Sequence, residues 1–181
     1  MRIGRWGLWL LTLAAVAAMT TGVNAVAAEH FETLATSASA PVKLGAGPVA
    51  VTLVPPAAGK ALSARVATVG ESRKVYLVAR GLGTDEPPET IYQIYLGLPP
   101  GVAPDPNGIY YVGSLNFFSA VGRNAEGQAD PRFLSFDVTA LLRTLQSRNS
   151  LGDNTTVTIV PAGTPRVSAK PVIGEVALVE Q

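Results

Sequence analysis

The 181-residue chain has no cysteine and a single histidine, His30. The first absence removes disulfides and thiolate chemistry. Together they remove the usual copper or zinc centre, which needs several nitrogen or sulfur ligands at fixed spacing. A Ser-His-Asp triad would have to recruit His30, on a segment that reads as solvated. Charge is scarce as well: 15% of residues are charged and the net charge is +1, so no basic field points to nucleic acid. The Gly-bearing stretches GLGTDE (81–86) and GAGP (45–48) lack the following helix that a phosphate loop requires. The residues therefore predict no catalytic group, no metal and no cofactor.

Apolar residues make up 48% of the chain, enough for one core. The N-terminus is distinctive. Arg2 and Arg5 precede an apolar run from Trp6 to Met19, and Ala25-Val26-Ala27-Ala28 follows. A charged start, an apolar middle and a small-residue end describe a secretory signal cleaved after Ala27 or Ala28. The rival reading is a retained anchor over residues 6–28, with Trp6 and Trp9 at the interface and Leu10 and Leu11 in the bilayer. Either reading puts the body outside the cytoplasm, secreted or periplasmic, or tethered and facing the periplasm. The expected organisation is signal or anchor over 1–28, linker over 29–48 and a β-sandwich domain over 49–181.

The stretch from Arg132 to Gly163 organises that domain. Phe133 to Val138 alternates with period 2, which predicts a strand. Val138, Leu141, Leu142 and Leu145 then fall at i, i+3, i+4 and i+7, one stripe of a helix. Asp137 is the predicted N-cap and Thr139 its rival. The loop SRNSLGDN (147–154) is expected to end the helix with Gly152, Asp153 and Asn154, and TTVTIVP (155–161) resumes as a strand stopped by Pro161. Further strands are predicted over VAVTLVPP (49–56), ARVATVG (64–70), KVYLVARG (74–81), TIYQIYLGLPPG (90–101), IYYVGSLNFFS (109–119) and KPVIGEVALVEQ (170–181). About eight short strands with turns between them predict an all-β, antiparallel β-sandwich with one short inserted helix.

Two constellations could carry function. Asp85, Glu86 and Glu89 crowd one loop, with Asp105 further on; these read as a solvated loop, with a calcium site or a hydrolytic carboxylate pair as rivals. Tyr92, Tyr95, Tyr110, Tyr111, Phe117 and Phe118 crowd two strands. Alternation sends about half to the core, and the remainder form a candidate docking patch. Asn154-Thr155-Thr156 matches a glycosylation acceptor.

The order of the motifs carries a resemblance. KVYLVARGL, ETIYQIYLGLPPG, YYVGSLNFFS, FDVTALLRTL, TVTIVP and PVIGEVAL occur in that sequence over about residues 62–180. This resembles the C-terminal β-domain of tyrosinases and plant polyphenol oxidases. There a Gly-Ser-aromatic strand, here Gly113-Ser114-Leu115, precedes a helix beginning at Asp137-Val138-Thr139. Strands like Val157-Thr158-Ile159-Val160-Pro161 and Ile173-Gly174-Glu175-Val176 then follow. The resemblance implies a sandwich that packs on a dicopper domain and shields its entrance. The copper-binding histidines of those oxidases belong to a separate helical domain, and no residue here matches one. Phenol oxidation is not carried over.

The expected function is a non-catalytic extracytoplasmic accessory module. It would dock on a partner oxidase, or act as a membrane-tethered subunit of a larger membrane complex. The alternative is a sandwich that binds carbohydrate or another small ligand through exposed tyrosines. A hydrolase built on the loop carboxylates ranks last.

Overall fold

The computed structural model describes residues 31–56, 60–118, 120 and 133–181. The strands among them are β1 (Glu32–Ser37), β2 (Val42–Lys43), β3 (Val49–Val54), β4 (Val75–Arg80), β5 (Tyr92–Leu96), β6 (Tyr111–Leu115), β7 (Phe133–Asp137), β8 (Thr155–Pro161), β9 (Val172–Ile173) and β10 (Glu175–Glu180). Helix α1 spans Leu62–Ala67 and α2 spans Thr139–Ser147. Eight strands form one sheet in the order β6-β5-β8-β3-β1-β10-β4-β7, and β2 pairs with β9. Neighbours in the large sheet are antiparallel throughout. The expected fold class holds. The sheet is moreover continuous, and it curls until its two edge strands approach one another, with the Phe136 ring of β7 seated on Gly113 of β6.

Alternation sets the interior. Val75 and Leu77 of β4, Val157 and Ile159 of β8, and Val176 and Leu178 of β10 point into the core. Each such side chain contributes about 1.5–3 kcal/mol by leaving water. Both helices cover one end of the curled sheet. The stripe predicted for α2 is the buried one: Val138, Leu142 and Leu145 are inside, and Leu141 packs against them. Leu62 and Val66 do the same for α1.

Several expectations are corrected. Residues 29–48, expected to be a linker, contain β1 and β2. Strand β1 lies inside the sheet between β3 and β10, with Leu34 and Ala35 buried. Ladders on both sides satisfy its backbone, so a Ser/Thr/Ala-rich stretch can serve as an interior strand. Residues 64–67 of the strand expected over 64–70 are instead part of α1, because Leu62 and Val66 form an i, i+4 pair facing the core. Its first amides are satisfied from outside the helix: Leu62 N–H donates to the Asp153 carbonyl and Ser63 N–H to that of Gly152. Helix α2 ends earlier than Gly152, at Ser147, and Asn149 two residues on takes φ 54°. There Asn149 N–H reaches the Gln146 carbonyl and Ser150 N–H that of Leu145, a left-handed C-cap.

Neither predicted cap residue occupies the N-cap, which is Val138. Asp137 Oδ1 accepts from Thr139 N–H at 3.1 Å. Thr139 Oγ1 accepts from Val75 N–H at 2.9 Å, which ties the helix start to β4. The signal or anchor segment, with Trp6, Trp9, Leu10 and Leu11, and also His30, lies outside the described residues. Among the described residues no helix is long and apolar enough to cross a membrane.

Candidate interaction surface

The six aromatics singled out from the sequence do not form one patch. Tyr92 and Phe117 are inside the sheet, edge to face with ring centroids 5.8 Å apart. The Tyr92 hydroxyl makes no hydrogen bond among the described residues, and burial pushes its pKa up. Tyr95 is also buried but belongs to the outer face of β5. Its hydroxyl donates to Gln93 Oε1 at 2.7 Å and its ring lies 5.6 Å from that of Tyr111. Burial first, then Tyr111 and Asp105, raise its pKa. Tyr110 is half-buried and packs against the core. Tyr111 is half-buried on the outer face, its hydroxyl 2.9 Å from Ser114 Oγ. Phe118 alone is fully displayed, at 74% exposure. Alternation is readable from sequence but register is not; an extra residue on β6, Val112, opposite Ile94 and Tyr95 breaks the simple period of that strand.

Other exposed apolar side chains escaped the sequence reading: Phe31 ahead of β1, Val102 and Ile109 between β5 and β6, and Ile91, Phe133 and Val167. The register puts the last three at one end of the sheet, away from the helices. Phe133 is opposite Arg80, the last residue of β4. Ile91 precedes Tyr92, which pairs with Leu115 on one side and Pro161 on the other. Phe118 follows β6 at that end, and Val167 lies in the turn after β8. The only available signal was a large apolar residue at the outward phase of a strand, as at Phe133.

Beside these residues two loops are stitched together. Arg166 pairs with Glu89 and approaches Glu86 at 3.7 Å. Ser168 Oγ donates to Glu86 Oε2 at 3.0 Å, and Lys170 lies 3.3 Å from Asp85. Glu89, then Glu86, raise the Arg166 pKa. Asp85 N–H donates to the Ala169 carbonyl at 2.8 Å. The three carboxylates of the acidic loop thus face cationic or hydroxyl partners, with Arg166 shared by Glu86 and Glu89 and Lys170 beside Asp85, rather than converging on one point as calcium ligands do. Among the described residues no three His, Cys, Asp or Glu side chains gather as a metal site.

Charge is unevenly divided over the sheet. Strands β6, β5, β8 and β3, which are adjacent, carry no Asp, Glu, Lys or Arg. The other half carries Glu32, Arg80, Asp137, Glu175 and Glu180.

Comparison with known proteins bears on this arrangement. The family described as "Domain of unknown function (DUF7868)" matches residues 30–181. The chain belongs to the DUF7868 family. The match starts ahead of β1, so the DUF7868 domain takes in the stretch that reads as a linker. No curated protein matches the chain. Among solved structures, it is similar to latent apple tyrosinase, with 18% identity and a TM-score of 0.51 over 78% of this chain and 27% of that one. It is also similar to latent aurone synthase, a polyphenol oxidase, with 18% identity and a TM-score of 0.48 over 77% of this chain and 25% of that one. The DUF7868 chain spans about a quarter of the length of these structures. The resemblance read from the motif order therefore holds at the level of fold. The share covered is consistent with their β-domain taken without the copper domain.

Proposed function

We propose that this chain is a non-catalytic accessory module that works outside the cytoplasm by docking on a protein partner, an oxidase of the polyphenol oxidase type. One observation carries the reading: Ile91, Phe118, Phe133 and Val167 stand exposed at one end of the sheet beside the paired charges of residues 85–89 and 166–170. Apolar anchors with a polar surround are the composition of a protein interface. The shared fold agrees with it, since in polyphenol oxidases such a domain is one part of a larger protein. Arg2, Arg5 and the apolar run after them support export. If residues 6–28 are retained, the module is a tethered subunit of a membrane complex instead, and N-terminal sequencing separates the two forms.

The test is purification from the native source with cross-linking and mass analysis of the adduct. An oxidase cross-linked through residues 85–91, 118, 133 or 166–170 is the expected product. The paired variant Phe118→Asp/Phe133→Asp should lose it while keeping the parent melting temperature. Turnover of a phenol by the isolated chain, or cross-links confined to the helical end, would overturn the proposal.

A further inference from the structure

The apolar docking end is divided by a seam. Strands β6 and β7 are the two edges of the sheet, and each has a ladder on one side only, β6 to β5 and β7 to β4. Every step round the sheet is antiparallel, so the two edges run in opposite directions and reach the docking end on either side of the seam. Two of the apolar anchors stand on its lips. Phe118, just after β6, is fixed to that lip by Phe117, which is buried against Tyr92. Its own N–H donates to Asn116 Oδ1 at 3.3 Å. Phe133 opens β7 on the other lip and pairs with Arg80 of β4. No hydrogen bond joins β6 to β7 among the described residues. What joins them is Phe136, whose ring fills the space over Gly113 that a side chain would otherwise occupy. The connection 81–91 also leads from the β4 lip to the β5 lip, and its ion pairs with 166–170 limit how far the lips part.

We infer, building on the docking reading, that this seam is a joint whose closure sets the docking surface, with Phe136 as its positioning residue. A partner that covers Phe118 and Phe133 together touches both lips at once, so it binds one spacing of the lips better than any other. Binding then favours that spacing, and by reciprocity whatever fixes the spacing favours binding. Lips held by side-chain packing shift without breaking a ladder hydrogen bond. A shift between any other neighbouring strands of the sheet breaks several, and each buried backbone group so freed needs a new partner. The seam is therefore where the docking end yields most readily.

The chain has no cysteine, so Ser114→Cys/Ser135→Cys carries its only two thiols, one exposed on each lip. Nitroxide labels there report the spacing by their dipolar coupling, and one narrow distance is expected. Gly113→Ala, which drives a methyl at the Phe136 ring, should broaden it. The same variant should weaken docking of the oxidase recovered by cross-linking about tenfold, inside the usual range for coupled sites. Phe136→Leu, which empties the plug instead of forcing it, should act in the same direction and serves if Gly113→Ala does not fold. Gly113→Ala/Phe136→Leu, which refills the plug, should restore both readouts. Leu142→Ala, at the helical end, should lower the melting temperature without changing distance or docking; a merely structural role for Phe136 would make it act like the seam variants. Bound oxidase should narrow the broadened distance. One unchanged distance in every variant, or full docking by a variant whose distance is broad, overturns the inference and leaves the docking reading standing. No oxidase bound by the parent removes the docking reading, and the inference falls with it.

Discussion

Gly113 and Phe136 close the sheet. A Cβ on Gly113 would stand 2.8 Å from both Cδ1 and Cε1 of Phe136, closer than carbon atoms pack. The two residues belong to opposite edge strands, and no ladder pairs those strands. The ring replaces backbone hydrogen bonds across the seam. Gly113→Ala should therefore cost about 1–3 kcal/mol, the range for forcing a methyl into packed space. In the double variant Gly113→Ala/Phe136→Leu, the smaller side chain should return part of that loss, a coupling that urea unfolding measures. An additive pair would show that the ring does not bear on this glycine.

Leu142 is 1% exposed beneath α2, and the helix is too short to persist without the sheet. Leu142→Ala should cost about 2–5 kcal/mol, and Leu142→Asp should leave no cooperative unfolding transition. A melting curve of the aspartate variant matching the parent would mean that the helix is not pinned as described.

How much of this was legible depends on which residues carried a period. The stripe Val138, Leu142, Leu145 was readable because three leucine-class side chains at helical spacing have no second explanation. Strand β1 was not. Its residues ETLATS are small and polar, and only the ladders offered by β3 and β10 make them a strand. Helix α1 was missed because the valines of ARVATVG imitate a strand, while the informative pair, Leu62 and Val66, straddles the boundary of that window. The candidate surface was the least legible part. Tyr92 and Phe117 point inward and Phe118 outward for reasons of register. Phe133, exposed opposite Arg80, carries only the signal of a large apolar residue at the outward phase of a strand.

Asp137 should make folding slightly pH-dependent. The Thr139 side chain first, then the Thr139 N–H and the Lys74 ammonium, hold its carboxyl below the usual carboxylate range against an opposing desolvation penalty. A lowered folded pKa stabilises above the unfolded pKa, and the contribution disappears as pH falls through the folded value. Asp137→Asn should thus cost stability at pH 7, by less than about 1 kcal/mol for so exposed a group. The gap to the parent should shrink below about pH 3.9. Urea midpoints at pH 7 and pH 3 check this. A gap that widens toward acid would reverse the assignment of Asp137 as the stabilised anion.

Tyr92 offers the least intuitive prediction. Its ring fills the interior against Phe117, but its hydroxyl is buried and makes no hydrogen bond among the described residues. Removing one member of a buried pair strands its partner and costs free energy, whereas removing a group that has no partner relieves a desolvation penalty of about 1–3 kcal/mol. The ring, not the hydroxyl, then supplies the stability, and Tyr92→Phe should unfold at the same or higher urea concentration than the parent. Tyr92→Ala should lose about 3–5 kcal/mol, as for other buried aromatics. A loss of more than about 1 kcal/mol in the phenylalanine variant would mean that the hydroxyl is satisfied after all, by analogy with measured buried hydrogen bonds. Because the two substitutions differ only in whether the ring stays, the pair separates packing from polarity at this position without altering the surface.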